Sequence, residues 1–263
     1  MATTRICLIK ISLIFLAILL IVIWWRRYSD SSSISVEGFQ QDERFVAKYD
    51  NEIYDEFYTN IYDNIHLPEQ QLSAFIKSIK MTLPSIQNSR FLDIGCGTGV
   101  LTNELDRLGY NIYGIDKSSD MVNHCHNKYK GLNVKCDDFM NPMAYDKGTF
   151  THVLCSDNTI YHFKDKVTFF RNCYLFMKPN AYLIIHLIDV DKFDPISPIG
   201  RPLLMDNAQK YSDERITVTE VDFVDFTYKS AFDFSDKNSI IITETFVDKS
   251  FSKSSIRQNQ QTL

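Results

Sequence analysis

The chain has no lysine- or arginine-rich stripe. Its 28 basic residues are outnumbered by 33 acidic ones, for a net charge of −5. The broad cationic footprint that holds a nucleic-acid backbone is therefore missing, and no nucleic-acid partner is expected. None of its asparagines opens an Asn-x-Ser/Thr sequon, although all three residue types are plentiful. The six cysteines (Cys7, Cys96, Cys125, Cys136, Cys155 and Cys173) show no close pairing pattern. They read as small buried apolar side chains in a reducing compartment. His124-Cys125-His126 is a run of metal-ligand residue types, but neighbours on a helix point apart and no second cluster follows, so no metal is expected. Glycine is scarce as well: nine in 263 residues, three of them within residues 95–99.

Apolar residues, by contrast, make up 44% of the chain, which suits one globular domain plus an appendage. The appendage is N-terminal. Ile11 to Trp25 is apolar except for Ser12, and Ile6 to Ile9 extends the run past Lys10. About twenty helical residues rising ~1.5 Å each cover the ~30 Å of bilayer hydrocarbon. About a dozen strongly apolar residues, at roughly 0.3–0.6 kcal/mol each, outweigh one lysine near the end of the run. Trp24, Trp25, Arg26 and Arg27 form an interfacial anchor and a poor cleavage context. Residues 1–27 are expected to be a retained single-pass transmembrane anchor, with membrane contact over residues 6–25 and a cleaved signal peptide as the alternative. Charge is balanced across the run and does not orient it. The missing sequons and unpaired cysteines favour a cytosolic location for the domain that follows. Residues 28–44 are a polar, serine-rich linker.

Phe45 to His66 is expected to be helical, because Ile53, Phe57, Ile61 and Ile65 recur every four residues beside a stripe of Tyr54, Tyr58 and Tyr62. A second helix over 71–83 ends at Pro84. From Arg90 the pattern alternates. Strands are expected at 90–94, 110–115, 132–136, 150–155 and 181–188, with helices at 98–108, 118–129 and 165–177. Such alternation implies a parallel sheet with right-handed crossovers, whose ligands bind at the carboxyl ends of the strands.

The turn after the first of these strands is the most informative segment. Residues 92–99 read Leu-Asp-Ile-Gly-Cys-Gly-Thr-Gly. Gly95, Gly97 and Gly99 allow a sharp turn and a close approach of backbone to ligand. Asp93 is the wrong charge for a pyrophosphate, which wants Gly-x-Gly-x-x-Gly and a helix N-terminus free of anions. It suits a nucleoside carrying positive charge.

This octet resembles motif I of the class I S-adenosylmethionine-dependent methyltransferases, and later landmarks fall in that family's order. The resemblance implies that Asp116, closing the second strand, binds both ribose hydroxyls with Lys117 beside it. Asp137-Asp138-Phe139 resembles the acid-plus-apolar pair that reads adenine, with Asp138 preferred because it directly precedes Phe139. Cys96 in the turn and Ser156 after the fourth strand complete the implied cofactor contacts. Lys178-Pro179-Asn180 stands where the family often has Lys-Pro-Gly. Over residues 45–190 the resemblance implies an α/β fold with a Rossmann-like parallel sheet, S-adenosyl-L-methionine as cofactor, and methyl transfer to an unidentified small-molecule, lipid-like or protein acceptor. In many members a Tyr-rich N-terminal helix with a Tyr-Asp pair, like Tyr49-Asp50 or Tyr62-Asp63 here, closes over the cofactor. Aromatic faces attract a sulfonium by about 0.5–2 kcal/mol.

Acceptor chemistry is read after the fourth strand, here Ser156-Asp157-Asn158-Thr159-Ile160-Tyr161-His162. This stretch lacks the Asn-Pro-Pro-Tyr type of motif, and no Pro-Cys occurs anywhere, which removes a cysteine-nucleophile pyrimidine methyltransferase. Candidate bases are Asp157 and His162, then His186 and Asp189, each more often structural than catalytic in such positions. Asn158 and Tyr161 are candidates for positioning an acceptor. Residues 191–263 open with a proline-containing loop and hold two strand-like runs, Arg215 to Tyr228 and Ser239 to Val247. Either Leu203 to Tyr211 and these runs are the family's last helix and strands, or the runs form a C-terminal antiparallel hairpin inserted near the substrate mouth. The second is preferred. It leaves the fifth strand as a parallel edge, with Arg257 to Leu263 resembling the end of such an insertion. A non-catalytic cofactor-binding or scaffold protein is the alternative function. A nicotinamide oxidoreductase is opposed by the glycine spacing and by Asp93.

Overall fold

The computed structural model describes residues 18, 20, 21, 45–66, 68–201, 208–236, 239–249 and 255–263. The chain divides into two compact units, Met1–Val36 and Glu37–Leu263. In the first, Ile18, Leu20 and Ile21 are helical and exposed. The rest of the expected transmembrane anchor and the linker up to residue 44 lie outside the described residues. Among the described residues no helix is long and apolar enough to cross a membrane.

The second unit begins with strand β1 (Phe45–Tyr49), a short 3-10 turn and helices α1 (Glu56–His66) and α2 (Pro68–Lys80). The alternating part follows: β2 (Arg90–Ile94), α3 (Val100–Arg107), β3 (Asn111–Asp116), α4 (Ser119–Lys128), β4 (Val134–Cys136), β5 (Phe150–Cys155), α5 (Lys166–Phe176) and β6 (Met177–Ile185). These strands form one parallel sheet in the order β4-β3-β2-β5-β6, the Rossmann-like arrangement the alternation predicts. Strand β2 lies at its centre. Phe91 and Leu92 are both buried although they point to opposite faces, as a strand covered on both sides requires. Leu92, Ile94, Phe150 and Phe176 share one core cluster, while Phe91, Leu105, Ile112 and Ile79 share another. Local chemistry sets the helix starts. The Ser118 hydroxyl accepts from Met121 N at 3.2 Å, and the Asp165 carboxylate accepts from Thr168 N at 3.0 Å.

The tail differs from the expected hairpin. Four strands, β7 (Val218–Asp222), β8 (Phe226–Asp233), β9 (Ile241–Asp248) and β10 (Ile256–Thr262), join β1 in a second sheet of order β1-β10-β9-β8-β7. The run Arg215 to Tyr228 contains the β7–β8 turn, so it is not a single strand. Among the described residues no run from the tail joins the parallel sheet, and β6 is its edge. Ala208–Tyr211 is a 3-10 turn rather than the end of a closing helix; residues 202–207 lie outside the described set.

The start of the domain differs too. Phe45–Tyr49 is not the first turn of a helix but a strand that pairs in parallel with β10, Phe45 opposite Ile256 and Tyr49 opposite Gln260. Its partner lies two hundred residues away in sequence, where local periodicity cannot register it. Helix α1 starts only at Glu56, and Asp55 caps it by accepting from Tyr58 N at 3.1 Å.

Candidate active site

The three glycines of the turn after β2 all have positive φ, +65° at Gly95, +52° at Gly97 and +82° at Gly99, a backbone region that L side chains avoid. A Cβ on Gly99 would lie 2.3 Å from Cys125 Sγ, whereas nothing lies within 4 Å of a Cβ built on Gly97. Gly99 is thus needed for packing against α4, while Gly97 faces open space. That space is a cavity of about 490 Å³ at the carboxyl ends of the parallel strands, a volume suited to a small-molecule ligand.

Gly95, Gly97, Asp116, Lys117, Asp137, Asp138 and Phe139 all line the cavity. The Asp116 carboxylate accepts from Gly97 N at 2.8 Å and from Ser118 N at 2.9 Å, one bond to each oxygen. These bonds aim the carboxylate while leaving each oxygen a further lone pair for a ligand hydroxyl. Burial pushes the Asp116 carboxyl up, against the pull of those backbone donors. Asp138 accepts from Met140 N at 2.8 Å and meets Lys117 Nζ at 3.1 Å. Asp137 is held by Lys135 at 3.1 Å, which lowers its pKa. Phe139 is buried and packs edge-on against Phe163.

Four expected contact residues sit elsewhere. Asp93 is buried behind the turn, where its Oδ2 accepts from Thr102 Oγ1 at 2.7 Å and its Oδ1 has no partner. Desolvation raises its pKa to about 7, opposed by the Thr102 bond. Cys96 turns into the core, where its Sγ would be 2.9 Å from a Cβ on Gly114. Gly99 packs on α4, and Ser156 is buried with its carbonyl accepting from Thr159 N at 2.9 Å. None of the four lines the cavity.

The profile of the methyltransferase domain family matches residues 92–185, which spans β2 to β6 and so the strand ends around this cavity. The human mitochondrial ubiquinone biosynthesis O-methyltransferase is 27% identical over 180 residues, covering 63% of this chain and 47% of that protein. The ubiquinone biosynthesis O-methyltransferase of Cereibacter sphaeroides is 28% identical over 124 residues, covering 45% of this chain and 49% of its own. Residues 92–185 are a methyltransferase domain of the class I, S-adenosylmethionine-dependent kind. The chain spans about half the length of the curated relatives it matches. Solved structures share this fold: Streptomyces venezuelae DesVI at TM-score 0.53 and 15% identity over 78% of this chain and 82% of that one, and the sugar N-methyltransferase KedS8 from Streptoalloteichus at 0.52 and 16% over 73% and 71%.

On the other side of the cavity the chain presents Tyr54 and Tyr62 from the N-terminal segment, with Asp157 and His162 from the β5 loop. Asp157 and Asn158 have φ of +45° and +63°, a strained pair of the kind that accumulates at functional sites. Asp157 is exposed to the cavities yet walled by protein, which pushes its carboxyl up while His186 and His66 oppose the shift. His162 Nε2 lies 3.3 Å from the Tyr54 hydroxyl, and burial lowers its pKa.

These four residues also line a second cavity of about 270 Å³, closed by the antiparallel sheet and the loop after β6. Its far wall holds Glu244, which is buried and accepts from the Tyr58 hydroxyl at 2.5 Å and the Tyr228 hydroxyl at 2.7 Å. No motif pointed to Glu244, Tyr228 or His66 here; the Tyr58–Glu244 bond that joins them spans 186 positions. Three of the remaining candidates line neither of these cavities. The Tyr161 hydroxyl accepts from Ile188 N at 3.0 Å, His186 continues the β5 pairing through its backbone, and Asp189 pairs with Lys192 at 2.8 Å. Asn158 lines the second cavity.

Proposed function

We propose that this chain binds S-adenosyl-L-methionine in the larger cavity and transfers its methyl group, across the junction formed by Asp157 and His162, to an acceptor in the second cavity. The observation that carries this reading is the convergence of the turns after β2, β3 and β4 on one cavity that shares Tyr54, Tyr62, Asp157 and His162 with its neighbour. Asp116 takes the ribose hydroxyls through its free lone pairs. Asp138, with Lys117 and Phe139, frames the adenine. Asp93, Cys96, Gly99 and Ser156 act indirectly, by holding the turn and the strand ends in place. The cofactor supplies a methyl carbon made electrophilic by its sulfonium.

Tyr54 and Tyr62 present aromatic surface where that positive charge is expected, which favours it by about 0.5–2 kcal/mol. Asp157 and His162 are the candidate proton acceptors, and both lie at the junction where the nucleophile must stand. The enzyme's remaining task is alignment and exclusion of water. The relatives named as O-methyltransferases and the fold-mate named as a sugar N-methyltransferase leave both oxygen and nitrogen acceptors in view.

Calorimetric titration with S-adenosylmethionine and with its demethylated product tests the cofactor site. Binding is expected in the micromolar range. Asp116→Ala should weaken it by roughly 2–4 kcal/mol, the loss of two charge-assisted hydrogen bonds. No binding by the folded wild-type chain would sink the proposal. The apolar composition of residues 6–25 further supports a membrane-tethered chain, and the missing sequons favour a cytosolic catalytic domain. In that case the full chain fractionates with membranes and resists alkaline extraction; recovery in the soluble fraction would overturn the tether.

A further inference from the structure

Resting on the methyltransferase reading above, we infer that the second cavity is built for a small amine acceptor, whose cationic nitrogen is recognised by the buried carboxylate of Glu244. Glu244 is 2% exposed, and its atoms form part of the cavity wall. Both its oxygens already accept a tyrosine hydroxyl, from Tyr58 and Tyr228, which aims the carboxylate. Tyr58 has spent its one proton on Glu244, so its oxygen accepts from His66 Nε2 at 2.8 Å. A neutral imidazole can supply that proton. No lysine or arginine among the described residues comes within ion-pair distance of Glu244 or of Asp157. The remaining acid of the cavity, Asp194, is met by Arg201 at 3.5 Å. Glu244 and Asp157 are therefore left without a lysine or arginine partner, with the His66 imidazole 3.7 Å from Glu244 Oε1, an arrangement that an ammonium ligand relieves.

One further polar atom lacks a partner. Asn158 Oδ1 is shielded from solvent without a hydrogen-bond partner, and Asn158 lines this cavity. Buried polar atoms in native structures are nearly always paired, and an ammonium or a neighbouring hydroxyl supplies the donor that Asn158 lacks. Acidic walls also discriminate between acceptors. They repel carboxylates and make an alcohol harder to ionise, whereas they favour a protonated amine. The volume, about 270 Å³, limits the acceptor to a small molecule or the end of a larger one.

The chemistry closes without a further reactant. The ammonium gives one proton to the Asp157 carboxylate at the junction and becomes the free amine. Its nitrogen lone pair forms the new N–C bond to the sulfonium methyl as the S–C bond breaks, and that bond's electron pair stays on sulfur as a neutral thioether. The product is the N-methylated ammonium.

The test uses the full chain saturated with the demethylated cofactor product. Cyclohexylamine and benzylamine are titrated calorimetrically against cyclohexanol and benzyl alcohol at pH 7. Each amine is expected to bind at least about tenfold more tightly than its alcohol. Glu244→Gln should erase that preference while product affinity is unchanged, and Tyr228→Phe, which removes one bond to Glu244, should reduce it severalfold. Alcohols binding as well as amines, no binding by either amine to the product-saturated protein, or an undiminished preference in both variants overturns the inference. Failure of the demethylated product itself to bind the wild-type chain would instead overturn the cofactor site on which it rests.

Discussion

Single residues at the cofactor turn serve packing and ligand access separately, and substitutions separate the two. Gly99 combines a φ of +82° with a Cβ position 2.3 Å from Cys125 Sγ. Gly99→Ala should cost about 2–4 kcal/mol, from backbone strain plus overpacking, read as a shifted urea midpoint. Adding Cys125→Ala should recover the packing part and leave the strain. Full recovery would mean that φ at residue 99 is readily changed. Asp93 makes a pH prediction. Its folded pKa, about 7, lies above that of an unfolded aspartate. Its contribution to stability is therefore complete below pH ~4 and is lost as pH rises through about 7. Relative to Asp93→Asn, the wild type should lose a few kcal/mol of unfolding free energy between pH ~4 and ~8, at about 1.4 kcal/mol per unit of pKa difference. Parallel pH profiles would contradict this. That Asp93 stands just before the glycine turn was legible in the motif. That it faces Thr102 rather than the cavity was not, because spacing does not say which way a strand's side chain points relative to the turn beyond it.

At the scale of elements, helix α1 is held by a strand that looks like surface. Strand β10 reads Ile-Arg-Gln-Asn-Gln-Gln-Thr, and its inward residues Arg257, Asn259 and Gln261 are buried. Arg257 Nη1 donates to both oxygens of Asp55 at 2.8 Å, Nη2 to the Ile53 carbonyl at 2.9 Å and Nε to Asn259 Oδ1 at 2.9 Å. Its guanidinium also lies over the Phe57 ring. This places one cation across the start of the helix that carries Tyr58 and Tyr62. Arg257→Met should destabilise the protein by about 3–5 kcal/mol, because it leaves a half-buried carboxylate and a buried carbonyl without their donor. Denaturant unfolding gives the loss, and a change under about 1 kcal/mol would show that the clamp is not structural. The four-residue periodicity of α1 was legible in the sequence, as its buried Phe57, Ile61 and Ile65 attest. Its first turn was misplaced because Phe45–Tyr49 pairs with a strand far away in sequence.

For the whole molecule, the pairing of β1 with β10 brings the first and last described segments of the domain into one sheet, and that sheet walls the second cavity. Removing residues 255–263 should strip amide-exchange protection from residues 45–66 and 241–248 while β2 to β6 stay protected. Uniform loss throughout would mean the two sheets unfold as one unit. The parallel sheet, with the cavity at its strand ends, followed from the sequence itself, because the signals are local: apolar runs, glycines at strand ends, and carboxylates one residue beyond them. Only the tertiary structure decided the second cavity. Tyr58 and Glu244 are 186 positions apart, and the inward face of β10 is polar, so neither hydrophobic pattern nor motif marks them. Buried polar groups acquire meaning from the partners that satisfy them, and a strand's partners are chosen by the fold rather than by its neighbours in sequence.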